Sequence, residues 1–210
     1  MSETSSQTSS KSSAQKWTIA VLGAGAWGTA LGATMLAGGH HARLWARDEA
    51  LARSINDDHV NRRYLPGITL DARLKATSDM QSALEGADCV LAVTPAQTLR
   101  TVLADAAPHV AKGVPIVLCA KGIERETGRL MSEIAAEALP ENPVAALSGP
   151  SFASDLASGL PTAVTVAAQN ADLAVTLAER LSAPRLRCYS TDDLTGVEIG
   201  GALKNVLAIA

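Results

Sequence analysis

An apolar run, Ile19-Ala20-Val21-Leu22, breaks off into Gly23-Ala24-Gly25-Ala26-Trp27-Gly28, and an alanine-rich helical pattern follows. The order reads as strand, tight turn, helix, and few folds accommodate it. The first glycine allows the turn, the second lets a pyrophosphate reach the backbone, and the third lets the helix lie close to its strand. Unpaired N–H groups at the helix start then face an anion. Glycine patterns of this kind recur by chance. The place of this one, between a buried-strand pattern and a helix, points to a dinucleotide, against a close-packed turn that binds nothing.

Downstream the alternation repeats. Ala30, Leu31, Thr34 and Met35 continue the helical spacing begun at Trp27, and Gly38-Gly39 stops it. Strands are expected at residues 41–46, 74–76, 88–93, 115–120 and 144–147, with helices after Asp48, after Asp79, near Leu99–Ala106 and near Leu130–Ala138. The stretch Asp57–Thr69, with Pro66-Gly67, reads as a loop with a turn. Short connections between alternating strands and helices argue for a parallel sheet covered on both faces. Beyond Ser148 a helix over 151–158, a strand over 163–167, a helix over 171–181 and a strand over 186–190 extend the same pattern. Asp193 opens a last helix, with Ile199, Leu203, Val206, Leu207 and Ala210 on one face. The chain stops inside that apolar pattern, so it is expected to be a fragment whose missing part packs on this helix.

Composition excludes several function classes. Apolar residues make up 47%, which suits a globular chain with a real core. A net charge of −3 offers no basic excess for a nucleic-acid backbone, and 3% aromatics offer no base-stacking platform. Residues 1–15, rich in Ser, Thr and Gln, lack the apolar core of a secretory signal and read as a disordered tail. No arginine precedes Arg43, which argues against a transit peptide, and no apolar run reaches membrane-spanning length. Cys89, Cys119 and Cys188 have no metal or redox spacing and read as buried thiols in a reducing compartment, hence a cytoplasmic protein.

Four stretches could carry chemistry. At the end of the second strand, Arg47 suits a 2′-phosphate and favours NADP(H), while Asp48 keeps NAD(H) open through the ribose hydroxyls. Arg47 as a plain solvated charge is the alternative. Lys121 follows a strand tip, where open α/β sheets bind ligands, although surface lysines are common there. In Ser148-Gly149-Pro150-Ser151, the chain turns and Ser151 can cap the next helix, leaving free N–H groups for a substrate hydroxyl or phosphate; an ordinary capped helix fits these residues equally. Gly200 and Gly201 sit inside a helix at a cost of about 2 kcal/mol against alanine. They lie one turn below Lys204 and Asn205, clearing a bare patch for a ligand or for a helix crossing.

Together these stretches resemble one family, the NAD(P)-dependent glycerol-3-phosphate dehydrogenases of bacterial type. The matching text is Gly23-Ala-Gly-Ala-Trp-Gly28, Ala120-Lys-Gly-Ile-Glu124, Ser148-Gly-Pro-Ser-Phe-Ala153 and Gly200-Gly-Ala-Leu-Lys-Asn205, within a resemblance running from Trp17 to Ala210. The resemblance implies an α/β Rossmann-type, doubly wound, mainly parallel sheet over 16–191. It also implies that 192–210 starts a helical C-terminal substrate domain. It implies that Gly23, Gly25, Ala26, Trp27 and Gly28 hold the pyrophosphate, that Arg47 meets the adenosine end, and that Ala153 lies near the nicotinamide. Lys121 would touch cofactor and substrate, Gly149, Ser151 and Asn205 would bind substrate, and Lys204 would accept the proton. The implied reaction interconverts sn-glycerol 3-phosphate and dihydroxyacetone phosphate for glycerophospholipid synthesis, and a homodimer stays open. The family's helical domain, with its further aspartate and Arg-Asn pair, is not in the chain. An ordinary lysine, with a pKa of about 10.4, is a poor base at neutral pH. Burial and Lys121 nearby are expected to lower Lys204. Two rival readings are another hydroxy-acid or hydroxyacyl dehydrogenase, and a dinucleotide-binding module without turnover. The first of these usually uses a histidine, and His40, His41, His59 and His109 lie away from the expected site.

Overall fold

The first strand, β1 (Thr18–Leu22), shows why its sequence has no polar position. Its pleat sends Ile19 and Val21 into one core and Ala20 and Leu22 into another, all four fully buried. The computed structural model describes residues 15–207, with side chains through Lys204. Of the tail expected over 1–15, residues 1–14 lie outside the described residues, as do the side chains of Asn205, Val206 and Leu207, and Ala210.

From β1 the chain runs through α1 (Ala26–Ala37), β2 (His41–Trp45), α2 (Glu49–Arg53), β3 (Val60–Asn61), β4 (Leu65–Thr69) and β5 (Lys75–Thr77). It continues through α3 (Met80–Leu84), β6 (Cys89–Ala92), α4 (Leu99–Ala106), β7 (Ile116–Leu118), α5 (Met131–Ala138) and β8 (Val144–Ser148). Then follow α6 (Ala153–Ala157), β9 (Thr162–Ala167), α7 (Ala171–Leu181), β10 (Leu186–Thr191) and α8 (Leu194–Leu207). Eight strands form one sheet in the order β10-β9-β8-β7-β6-β1-β2-β5. All neighbours are parallel except β8 and β9. The winding reverses between β1 and β6. In a doubly wound sheet that reversal opens a crevice at the carboxyl ends of the strands, the usual place for a ligand.

The split seen in β1 recurs in its neighbours. Cys89 and Leu91 of β6 face one core and Val90 and Ala92 the other; Val117 faces the first, Ile116 and Leu118 the second. Side-chain caps set the helix starts. Asp48, Asp79 and Asn170 each accept a backbone N–H from the first turn of α2, α3 and α7. The helix α5 has no cap of its own kind. Buried Glu198 of α8 supplies one, accepting from Ser132 N at 2.8 Å and Ser132 Oγ at 2.5 Å. This ties the rotation of α8 to the sheet layer beneath it.

Two expectations change. The stretch 57–69 is not a loop: β3 and β4 pair antiparallel as a small ribbon. Val60 pairs Thr69 and Asn61 pairs Leu65, so Pro66 and Gly67 fall in a bulge, where a missing N–H costs no ladder bond. The helix expected from Ser151 begins at Ala153 with Phe152 at its cap position and no side-chain cap. Ser151 instead donates its N–H to Gly149 O at 3.0 Å.

Candidate functional site

The glycine loop occupies the β1/β6 crevice, and each glycine has a distinct reason. Gly23 has φ +116°, and a Cβ there would lie 2.6 Å from the Val93 carbonyl oxygen. A Cβ on Gly28 would overlap the Gly23 carbonyl, so α1 can approach the strand only without one. Nothing lies within 4 Å of where a Gly25 Cβ would stand. Gly25 also opens α1 without any side-chain cap, so the first-turn N–H groups face open space. A cavity of about 770 Å³ lies over this loop. Ala26, Trp27, Arg47 and Asp48 line it on the β2 side, and Lys121, Ser151 and Ala153 on the β7 side. Bare backbone, free donors and a cavity of this size fit a dinucleotide pyrophosphate.

The ribbon β3–β4 braces the loop. Asn61 is fully buried and donates to Ala24 O at 2.9 Å and Thr29 Oγ1 at 2.8 Å, while its Oδ1 accepts from Tyr64 N at 3.1 Å. One amide thus joins the ribbon, the glycine loop and α1. It also brings Arg63 and Tyr64 to the cavity wall beside Arg47. Sequence reasoning missed all three ribbon residues. The usable signal was Asn61-Arg-Arg-Tyr64, a capping amide and paired cations before a Pro-Gly turn. Asp48 Oδ1 accepts from Ala50 N at 2.9 Å, capping α2, and Oδ2 lies 3.7 Å from Arg63 Nη1.

A second, more open cavity of about 460 Å³ is lined by Ser148, Gly149, Pro150, Gly200, Gly201 and Lys204. It adjoins the first through Gly149, whose carbonyl accepts from Lys121 Nζ at 2.9 Å. Gly149 itself presses on β9, with a Cβ position 3.0 Å from Ala163 O. Gly201 leaves room for its neighbours, its Cβ position being 3.0 Å from Ser148 Oγ and 3.6 Å from Lys121 Cγ. The Lys204 ammonium lies 5.3 Å from the centroid of the Phe152 ring. The fold therefore gathers Lys121, Gly149 and Lys204, with Ser151 and Ala153 on the dinucleotide side. The side chain of Asn205 lies outside the described residues. Partial burial first, then the charge of Lys204, hold the Lys121 pKa below its ordinary value.

The Lys121 loop is pinned from α4 and from the turn just before it. Arg100 Nε and Nη2 both bond Glu124 at 2.9 Å, and Gln97 Nε2 donates to Ile123 O at 2.9 Å. Arg100 holds the Glu124 carboxyl down at about 2, with the Thr127 hydroxyl adding to the effect. No histidine lines either cavity. The three cysteines are buried and free, and burial pushes Cys119 up to about 12 and Cys188 to about 11. Among the described residues no helix is long and apolar enough to cross a membrane.

Sheet order, glycine loop and cavity define a Rossmann-type dinucleotide-binding α/β domain. Residues 18–174 match the model of the NAD-dependent glycerol-3-phosphate dehydrogenase N-terminus, and the chain belongs to that family. It is 71% identical over 194 residues to a glycerol-3-phosphate dehydrogenase [NAD(P)+] of Chelativorans sp., covering 92% of this chain and 59% of that one. A Mesorhizobium japonicum protein of the same name is 63% identical, with 92% and 56% covered. The crystal structure of glycerol-3-phosphate dehydrogenase from Coxiella burnetii superposes with a TM-score of 0.86 at 39% identity, over 92% of this chain and 59% of that one. The chain thus spans somewhat under three fifths of the length of these relatives.

Proposed function

We propose that this chain is the dinucleotide-holding and proton-handling part of an oxidoreductase that interconverts sn-glycerol 3-phosphate and dihydroxyacetone phosphate. The dinucleotide is NADP(H) by preference, with NAD(H) as the alternative, and the product feeds glycerophospholipid synthesis in the cytoplasm. The observation that carries this reading is the meeting of Lys121 and Lys204, from a strand tip and a late helix, beside the dinucleotide cavity.

Gly23, Gly25, Ala26, Trp27 and Gly28 would seat the pyrophosphate, Arg47 the adenosine end, and Ala153 would border the nicotinamide. A nicotinamide held there would supply the hydride chemistry at the C2 carbon. The chain's own residues handle the proton and the charge. Lys121 donates to Gly149 O, so its nitrogen is fixed beside the substrate and stabilises negative charge on the C2 oxygen. Lys204 lines the open pocket and is the acceptor of the C2 hydroxyl proton. Gly149, Ser151 and Asn205 would complete the substrate contacts.

Lys121 yields a test with a definite sign. Its folded-state pKa is lowered, so the unfolded chain binds this proton more tightly. The site therefore costs stability at neutral pH, and the cost is relieved as pH rises from the lowered value to the ordinary 10.5. Lys204→Met removes one cause and raises the Lys121 value, read by NMR of methylated lysines. The same variant abolishes dihydroxyacetone phosphate reduction while leaving NADPH binding intact. Unchanged turnover in Lys204→Met sinks the acceptor role.

Two observations favour a second reading for this length of chain. Phe152 and Leu203 are 65% and 45% exposed beside the lysines. Among the described residues, no arginine lines the second cavity to hold a phosphate monoester. Tight NADPH binding without turnover would select a binding module.

A further inference from the structure

We propose that Arg63, carried by the β3–β4 ribbon, is a specificity-determining residue that joins Arg47 in gripping the 2′-phosphate of NADP(H). The proposal rests on the dinucleotide reading of the large cavity. Four observations lead to it.

First, two arginines from separate elements converge on the cavity wall at the carboxyl end of β2, Arg47 from the strand tip and Arg63 from the ribbon. Second, Asp48 is the sole carboxylate among the described residues lining that cavity, and each of its oxygens has a neighbour. One caps α2 through Ala50 N, and the other faces Arg63 at 3.7 Å. The cation on its open side sets this carboxylate against an arginine, rather than leaving it alone before a ribose diol. Third, the Arg63–Asp48 contact is loose and solvent-exposed, a pair of a kind that adds little stability. It holds a guanidinium in place without saturating its planar fork, leaving donors for a phosphate. The Tyr64 ring, 5.0 Å beneath the same guanidinium, further limits its plane. Fourth, Asn61 locks the ribbon to Ala24 and Thr29, so Arg63 stands at a set distance from the pyrophosphate seat.

A mobile surface arginine would have no such registration. Here the segment that carries Arg63 is bonded to the loop that would carry the pyrophosphate. One rigid unit therefore senses both ends of the same half of the dinucleotide.

The test titrates NADPH and NADH separately into this chain, into Arg63→Ala and into Asp48→Asn, following nicotinamide fluorescence. Arg63→Ala is expected to weaken NADPH by about tenfold to a hundredfold and to leave NADH within about twofold, the NADH value doubling as the folding control. Asp48→Asn keeps an acceptor for Ala50 N but releases Arg63, so NADPH binds at least as tightly and NADH no more weakly. Equal weakening of both dinucleotides in Arg63→Ala, or no weakening, overturns the proposal. So does a selective loss of NADH binding in Asp48→Asn, which would return the carboxylate to a ribose role. A parent chain that binds NADH alone overturns the specificity assignment but not the cavity. A parent that binds neither overturns the dinucleotide reading and this inference with it.

Discussion

The glycine loop and the Lys121–Lys204 mouth share one edge of the sheet, yet they are held in opposite ways. Around the loop, support comes from inside the chain: Gly28 under the Gly23 carbonyl, Gly23 against Val93, and buried Asn61 across Ala24 and Thr29. At the mouth, Lys121 is pinned on one side by Gly149, while Phe152, Ile199 and Leu203 stand 65%, 41% and 45% exposed. The loop is shaped by backbone and side chains packed directly against it, whereas the mouth presents charges and apolar side chains to solvent. On the proposed function, dinucleotide binding is expected to be the firmer property of the two sites and phosphate recognition the weaker.

The largest effect is expected where the backbone leaves no room. Gly28→Ala drives a methyl into a carbonyl and should cost about 3 kcal/mol or more, seen as a lower urea midpoint together with loss of NADPH binding. Gly25→Ala makes the sharper contrast. Its methyl meets no protein atom, so stability should stay within about 1 kcal/mol of the parent while dinucleotide affinity falls by about tenfold or more. If Gly25→Ala binds NADPH like the parent, the pyrophosphate does not sit on this loop.

Asn61→Ala comes next. It strips Thr29 Oγ1 of its donor, leaves Ala24 O only the longer Thr29 hydroxyl bond at 3.4 Å and frees Tyr64 N, at a cost of about 2–3 kcal/mol in denaturant unfolding. The ribbon should also become sensitive to proteolysis between Asn61 and Leu65. A loss of stability without ribbon cleavage would mean that Asn61 serves α1 alone.

The same contrast governs how much could be read beforehand. Strands buried on both faces announce themselves as unbroken apolar runs, so β1, β6, β7 and β8 were visible, and Asp48, Asp79 and Asn170 marked helix starts. The sheet's extension through β9 and β10 was legible too, though not that β9 runs antiparallel to β8. The ribbon was not legible because β3 is two residues long and a bulge interrupts its pairing, so no period of two ever develops. Asn61 hides for the same reason: its partners lie 37 and 32 residues away in sequence. Ser151 misled because a serine before a helix is a fair cap signal, whereas the turn at Gly149-Pro150 spends its N–H on Gly149 O and delays the helix by two residues. The mutual influence of two lysines was legible as chemistry from their strand-tip and helix positions; that it lowers Lys121 was not, because it depends on partial desolvation and on how closely Lys204 approaches in space.

The smallest effect separates the two helix glycines. No atom lies within 4 Å of the Gly200 Cβ position, so Gly200→Ala should gain about 0.5–1 kcal/mol from helix propensity alone. Gly201→Ala must push on Ser148 Oγ at 3.0 Å and lie against Lys121 Cγ at 3.6 Å, which offsets that gain and disturbs the lysine. Both are read from thermal melts, with and without dihydroxyacetone phosphate. Because Gly200 lines the open cavity, the stabilised Gly200→Ala chain should respond less to the phosphate ligand than the parent while binding NADPH equally well. A stabilised variant with an undiminished ligand response would make Gly200 an ordinary weak point in a helix, and would move the substrate's approach to the Gly201 side of α8.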